Sequence, residues 1–230
     1  MPLLVYALAH HSLSRRRLRG IDREPLHSVT VGKVTAVVGS VRQRPAATPE
    51  SLRRYDVVVR AIASATSAIL PARFATIMSG LTEIEDVLGA RQPYFTRALR
   101  HVRGRAQMTV RVIGRTPAAD TSAGSGRSRV ASNDDEIHRR QRDGAGYLRQ
   151  RAAEAARARR VPGFDRTRAA VEQFVRDERV ETRGAVATVY HLIPRASAPA
   201  YCRALEAAAR RDGLRVVVSG PWPPYAFAET

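Results

Sequence analysis

Cysteine is all but absent. Cys202 is the only one in 230 residues, which excludes a disulfide framework and a cysteine-rich zinc site. Lysine is scarce too: Lys33 stands alone, so 38 of the 39 basic residues are arginine. No apolar run approaches the ~20 residues that a membrane-spanning helix needs. The opening MPLLVYALAHHSLSRRR places its charges after its apolar run. A secretory signal places them before it, so a mature cytoplasmic start is expected. Neither GxGxxG nor a phosphate-binding GxxxxGK motif occurs, and no serine sits in a GxSxG elbow. Gly124-Ser125-Gly126 follows no strand. His10 and His11 are neighbours, and on a strand they point to opposite faces. Asp134, Asp135, Glu136 and His138 have ligand chemistry but sit in a stretch with no scaffold to fix them. Cys202 falls among helical residues with no base beside it, as a structural thiol does. The sequence therefore shows no catalytic residue, cofactor site or metal site, and these residues leave an enzyme unsupported while not excluding one.

What is abundant is apolar area and positive charge. Hydrophobic residues make up 44% of the chain, enough for a packed core. Lys+Arg number 39 against 21 Asp+Glu, a net charge of +18. Such a balance suits an acidic partner, nucleic acid included. A coding bias toward Arg and Ala would give the same balance, and the even spread of arginine along the chain favours that cause.

Residues 3–9 read as a short buried strand. Residues 12–26 form a basic loop, and 27–41 read as two strands turning at Gly32-Lys33. Thr48-Pro49-Glu50 opens a helix, with Thr48 as cap and Pro49 in the first turn. Its inner face would be Leu52, Tyr55, Val58, Val59 and Ile62. Residues 68–78, AILPARFATIM, read as one strand whose proline belongs at an edge or bulge. Two short helices follow, at 82–90 and 93–102, then an alternating strand at 107–113. Residues 115–143 are polar and rich in Gly, Ser and Arg, as in a flexible linker or exposed loop. Helix is expected at 146–160 and again from Asp165, a strand at 185–193, a helix from Ser197, and a last strand at 214–218. This gives an α+β protein of two α/β-sandwich domains. Each has a mainly antiparallel sheet with helices on one face. The division is an N-terminal domain 1–114, the linker 115–143 and a C-terminal domain 144–230.

Two segments stand out. Leu70-Pro71-Ala72-Arg73-Phe74-Ala75-Thr76 sets one arginine among apolar residues, where it either has a carboxylate or carbonyl partner or faces outward from a half-exposed sheet. Gly220-Pro221-Trp222-Pro223-Pro224-Tyr225-Ala226-Phe227 carries three prolines and the only tryptophan. Its prolines oppose helix and a regular ladder. It reads as a rigid strap packed on the second domain, with Trp222 and Tyr225 at least partly buried, rather than as an exposed ligand for an SH3- or WW-type domain.

At these residues the sequence resembles the gas vesicle protein family GvpL/GvpF. The family's GPWPPYSF-like end is matched by Gly220, Pro221, Trp222, Pro223, Pro224, Tyr225 and Phe227, with Ala226 for serine. Its LPxRFGT-like strand is matched by Leu70, Pro71, Arg73, Phe74 and Thr76, with Ala75 for glycine. Its GxxYLxxR-like helix is matched by Gly144, Tyr147, Leu148 and Arg151, and its opening LYxYG-like strand is similar to Leu4-Val5-Tyr6-Ala7. The sequence departs from the pattern near Tyr55 and Asp56, where a histidine is usual, and at Gln107, where Glu is usual. The resemblance implies two domains related to the ferredoxin-like sandwich, without cofactor. It implies an accessory or minor structural component of gas vesicles in the cytoplasm, needed for assembly. Its partners would be the small hydrophobic shell protein and other gas vesicle accessory proteins. The rival expectation is a basic nucleic-acid-binding module on a ferredoxin-like sheet, with Phe74 and Tyr190 as the available stacking rings.

Overall fold

The computed structural model describes residues 1–10, 18–113, 161, 163–183 and 186–228. The proposed linker 115–143, the helix expected at 146–160 and the motif residues Tyr147, Leu148 and Arg151 lie outside the described residues.

Two antiparallel sheets make the α+β fold. The first contains β1 (Leu3–His10), β2 (Leu26–Val31), β3 (Val34–Ser40), β4 (Ile69–Pro71) and β5 (Ile77–Met78), in the order β2-β3-β1-β4, with β5 also on β1. The second contains β6 (Arg105–Ile113), β7 (Asp177–Arg183), β8 (Val186–Pro194) and β9 (Arg215–Trp222), in the order β7-β8-β6-β9. With α4 (Asp165–Val171) after β6 and α5 (Ala198–Arg211) after β8, the second sheet is a β-α-β-β-α-β unit, the ferredoxin-like arrangement. The first sheet repeats that strand order. There, α1 (Pro49–Ala65) joins β3 to β4, and the β1–β2 connection has no helix among its described residues.

Strand β6 corrects the expected division. It pairs with β8 along its whole length and with β9 on its other side, so it is a central strand of the second sheet. A boundary at residue 114 would cut it from its own core. The change of sheet comes earlier, between α3 (Gln92–Val102) and β6.

Packing explains why β1 reads as continuous apolar sequence. Its Leu4 and Tyr6 face Tyr55, Val59 and Ile62 of α1. Its Leu3, Val5 and Leu8 face Ile84 and Leu88 of α2 (Leu81–Ala90) and Phe95 and Leu99 of α3. A strand covered on both faces has no reason to alternate. Among the described residues the second sheet is covered along its whole length on one face only; the strap and the first core cover one end of the other. Met108, Val110 and Val112 pack under Phe164, Val171, Tyr201 and Leu205, while the alternate residues Thr109 and Arg111 face away from that core. The one-sided helical layer thus describes the second sheet, and the first is sandwiched.

The hairpin turns at Gly32, whose φ of 57° lies in the left-handed region. Thr48 caps α1 by accepting the Ser51 N–H at 3.1 Å. Leu52, expected on the inner face, is 45% exposed.

Residues 68–78 are not one strand. β4 and β5 both lie along the edge of β1, and between them the chain leaves the ladder in a turn closed by Thr76 N–H to Arg73 O. Pro71 sits at the sheet edge, where its missing N–H costs no ladder bond. Ala75 takes φ 60°, a conformation that favours glycine. Strand β7 carries no strand signal in the sequence. Its sequence DERVETR is polar because it is an edge strand, partly or fully exposed along its length.

Ala75→Val should lower stability by ~1–3 kcal/mol, because a β-branched side chain is strained at this φ. Ala75→Asn should cost less, since Asn tolerates the left-handed region. Denaturant midpoints check both; equal midpoints for the Val variant and the native chain would remove the strained turn.

Candidate functional site: the strap and the clefts around it

Strand β9 runs on through Pro221 to Trp222, which a proline permits here because β9 is an edge strand. The Gly220–Pro221 peptide bond is cis. Gly220 has φ 124°, and a Cβ there would lie 2.7 Å from the Gln107 carbonyl oxygen, so no larger residue fits. Trp222 stands opposite Gln107 in the ladder. Pro223 and Pro224 are buried, and residues 225–227 close a 3-10 turn.

The strap does not stay on the second sheet, as expected of it, but crosses to the first. Phe227 is 5% exposed and enters the core built on Leu70, Leu99 and Phe95, beside Leu192 of β8. Gln107 is buried and holds the crossing. Its Oε1 accepts the Ala226 N–H at 2.7 Å while its Nε2 donates to Thr109 Oγ1 at 3.2 Å. The amide thus satisfies a backbone donor that burial would otherwise orphan.

Helix α1 supplies the other half of the clasp. Asp56 Oδ1 accepts from the Tyr225 hydroxyl at 2.7 Å. Asp56 Oδ2 accepts from Arg60 Nε at 2.7 Å, and the Arg60 guanidinium lies 4.4 Å over the Trp222 ring. One carboxylate and one guanidinium, one helical turn apart, therefore grip the half-buried Trp222 ring and the Tyr225 hydroxyl at the edge of the strap. Burial, and then the bond to Asp56, pushes the Tyr225 hydroxyl above its ordinary pKa. The bond to Asp56 likewise raises Arg60.

Three hollows adjoin the strap and the first sheet. A cleft of about 750 Å³ lies between α1 and the open face of the second sheet, with Arg60, Thr109, Arg111, Tyr190 and Trp222 among its walls. A second, of about 640 Å³, shares Asp56, Glu181 and Tyr225 with it and reaches Leu52, Arg73 and Phe74. A third is smaller, about 220 Å³, and mostly apolar. It lies between the first sheet and α2–α3, walled by Val5, Leu8, Met78, Ile84, Leu88 and Phe95, with Arg73 and Arg91 at its rim.

The two sequence-predicted segments meet. Pro71, Arg73 and Phe74 share the second cleft with Tyr225 and Ala226. Leu70 is fully buried, and the Thr76 hydroxyl donates to the Arg73 carbonyl at 2.8 Å. The Phe74 ring packs edge-on against Tyr55, whose hydroxyl lies 3.0 Å from the Ala72 carbonyl. Of the two expectations for Arg73 the structure has the outward-facing one: it lies on an exposed turn, and its side chain has no bonding partner among the described residues. Cys202 is half-buried, and burial pushes its thiol up, which opposes nucleophilic use. No group of three or more metal-binding side chains occurs among the described residues.

One network went unread in the sequence. His191 is fully buried, with Nδ1 2.7 Å from the Tyr201 hydroxyl and Nε2 2.8 Å from Glu178 Oε2; Glu178 also faces Arg168 Nε at 3.1 Å. The Glu178 carboxylate can only accept, so Nε2–H donates to it, and the neutral tautomer then leaves Nδ1 to accept from the Tyr201 hydroxyl. The signal was present: alternation places His191 on the inner side of β8 with Val189 and Ile193. The Phe164 ring stacks beside the imidazole inside the core, so the network serves packing and satisfaction of polar groups.

Phe227→Ala should cost ~3–5 kcal/mol, as for a buried aromatic elsewhere, and Tyr225→Phe ~0.5–1.5 kcal/mol for the lost hydrogen bond. Urea midpoints check both; an unchanged midpoint for Phe227→Ala would undo the docking. Alkaline pH should loosen the same clasp. The hydroxyls of Tyr55, Tyr201 and Tyr225 are all raised by burial, so the fold binds their protons more tightly than the unfolded chain, where they titrate near pH ~10. Their stabilising effect is whole below that pH and is lost as pH rises above it. Thermal melts should show this fall, and Tyr225→Phe should flatten it.

Among the described residues no helix is long and apolar enough to cross a membrane. In comparison with known proteins, the family described as gas vesicle synthesis protein GvpL/GvpF matches residues 2–229. Gas vesicle protein L of Streptomyces sp. (strain CB03234) is 27% identical, over 91% of this chain and 85% of that protein. The crystal structures of GvpF from Anabaena sp. PCC7120 and from Microcystis aeruginosa each superpose with a TM-score of 0.72 at 16% identity. They cover 100% of this chain and 96% and 99% of theirs, respectively, and at that identity they establish the fold. With the match running from the first strand through the strap, the chain belongs to the GvpL/GvpF family of gas vesicle proteins.

Proposed function

We propose that this chain is an accessory or minor structural component of gas vesicles, needed for their assembly, and that it binds the small hydrophobic shell protein. It would act in the cytoplasm and at the vesicle, beside other gas vesicle accessory proteins, and as a non-enzyme. The family match over residues 2–229 carries this reading. The geometry supports it through the apolar pocket under the first sheet. At about 220 Å³ it falls below the ~300–1,000 Å³ typical of small-molecule sites. It suits an apolar side chain from a protein partner, the kind of anchor on which interfaces depend. The exposed Arg73 at its rim offers a hydrogen-bond fork to the backbone or a carboxylate beside that anchor. Aggregation-prone apolar subunits need such cover before they enter a wall.

The nucleic-acid reading draws on net charge. It is weakened by the two rings on which it relied. Phe74 sits in a turn against Tyr55, and Tyr190 donates to Glu181 at 3.2 Å, which sets a carboxylate where a phosphate would pass.

Val87→Phe would narrow the pocket from the half-buried flank of α2, and Arg73→Glu would reverse its rim. Each should weaken binding of the purified shell protein by at least roughly tenfold with an unchanged melting temperature. Each should also reduce vesicle-dependent light scattering in cells that lack the native copy. Full binding and full scattering by both variants would refute the proposed pocket.

A further inference from the structure

The open face of the second sheet divides into a covered end and a bare end. At the covered end, Gln107 and Leu192 stand side by side in the ladder, 5% and 0% exposed, under the strap and the first core. Farther along the same strands the cover stops among the described residues. Arg111 stands between Thr188 and Val217, and Ile113 between Val186 and Arg215; Arg183 pairs with Val186. The intervening residues Val110, Val112, Ala187, Val216 and Val218 point the other way, into the helical core. Ile113 is 41% exposed and Val217 51%, and the register sets them diagonally adjacent. Arg111, Arg183 and Arg215 are exposed, and none has a hydrogen bond or ion pair among the described residues. The result is a small aliphatic patch bordered by three arginines that are unpaired among the described residues, with one carboxylate, Glu181 opposite Thr188, accepting the Tyr190 hydroxyl.

We propose that this face docks an acidic amphipathic segment of a protein partner, whose aliphatic side covers Val186, Ile113 and Val217 while its carboxylates meet the three arginines. Small apolar patches are ordinary on a protein surface; what singles this one out is the three arginines that border it. The arginines supply the charge complementarity, and guanidinium forks bind carboxylates in pairs of bonds. A second copy of this chain presenting the same face would set arginine against arginine. Single-stranded RNA finds no exposed aromatic ring on this patch: its exposed side chains are aliphatic and arginine, and the nearby Tyr190 is half-buried. The surface is separate from the pocket at Arg73, so either can fail without the other.

The test uses the full chain and three probes followed by fluorescence anisotropy. These are a short amphipathic peptide of Leu and Glu, its Leu and Lys counterpart, and a single-stranded RNA oligomer. The Glu peptide should bind and the Lys peptide should not. The Arg111→Glu/Arg183→Glu pair and Val217→Asp should each weaken the Glu peptide at least roughly tenfold, with thermal melting unchanged. A remote pair, Arg53→Glu/Arg97→Glu on α1 and α3, should leave it within about twofold. The proposal falls if the remote pair weakens binding as much as the local one, since the effect is then net charge alone. It also falls if RNA binds the native chain more tightly than the peptide does. Self-association abolished by Val217→Asp in ultracentrifugation would overturn it in favour of a second copy.

Discussion

Everything around the strap depends on one buried amide. Gln107 sits in a central strand of the second sheet, yet its side chain satisfies the backbone N–H of Ala226, a residue on its way into the core of the first. A buried N–H without a partner costs about 1–3 kcal/mol, so the crossing is stable only where such an acceptor waits. Once it is made, Phe227 can fill its place beside Leu70 and Leu192, and the Asp56–Arg60 pair can close over Tyr225 and Trp222. The order matters energetically. Burial of Phe227 contributes most, the amide fixes where the chain turns, and the exposed clasp adds the smallest share because solvent screens it. Other links run the same way: Arg195 reaches the Ala63 carbonyl at the end of α1, and His101 meets Asp177 of β7 at 2.9 Å. Two sheets with the same strand order thereby share one core boundary.

Much of this was legible in the sequence. Strands β1, β3, β6 and β8 follow from apolar runs or alternation, and α1 from its Thr48-Pro49 start and its inner spacing. The departures have physical causes. β7 is an edge strand, partly or fully exposed along its length, so its polar sequence carries no strand signal. Residues 68–78 have strand composition, but Ala75 in the left-handed region turns the chain out of the ladder. β6 lies in the first half of the sequence and pairs in the second sheet, which no local pattern reveals. Within the strap, burial of Phe227 follows from composition. Its partners do not: Asp56 lies 169 residues from Tyr225, and Gln107 lies 119 from Ala226. The usual Glu at position 107 had marked Gln107 only as a departure from pattern. The structure gives it a task, since its Nε2 can donate to Thr109 while its oxygen accepts.

For function, family membership and geometry act at different levels. The family places the chain among gas vesicle proteins. The hollows and faces then say which surfaces could receive a protein: an apolar pocket with an arginine rim on the first sheet, and an aliphatic patch among arginines on the second. Both use arginine beside bare apolar area, which gives the chain's positive charge a use at two places without requiring one everywhere. The two proposed docking faces would let the body hold one partner against another, and that demands that the two sheets keep a fixed relation.

That fixed relation is the claim on which the rest stands, and differential scanning calorimetry of the full chain measures it most directly. One body closed by the strap predicts a single transition whose calorimetric and van't Hoff enthalpies agree. Two resolved transitions, with a van't Hoff enthalpy for each well below the total, would show two sheets melting independently and would contradict it.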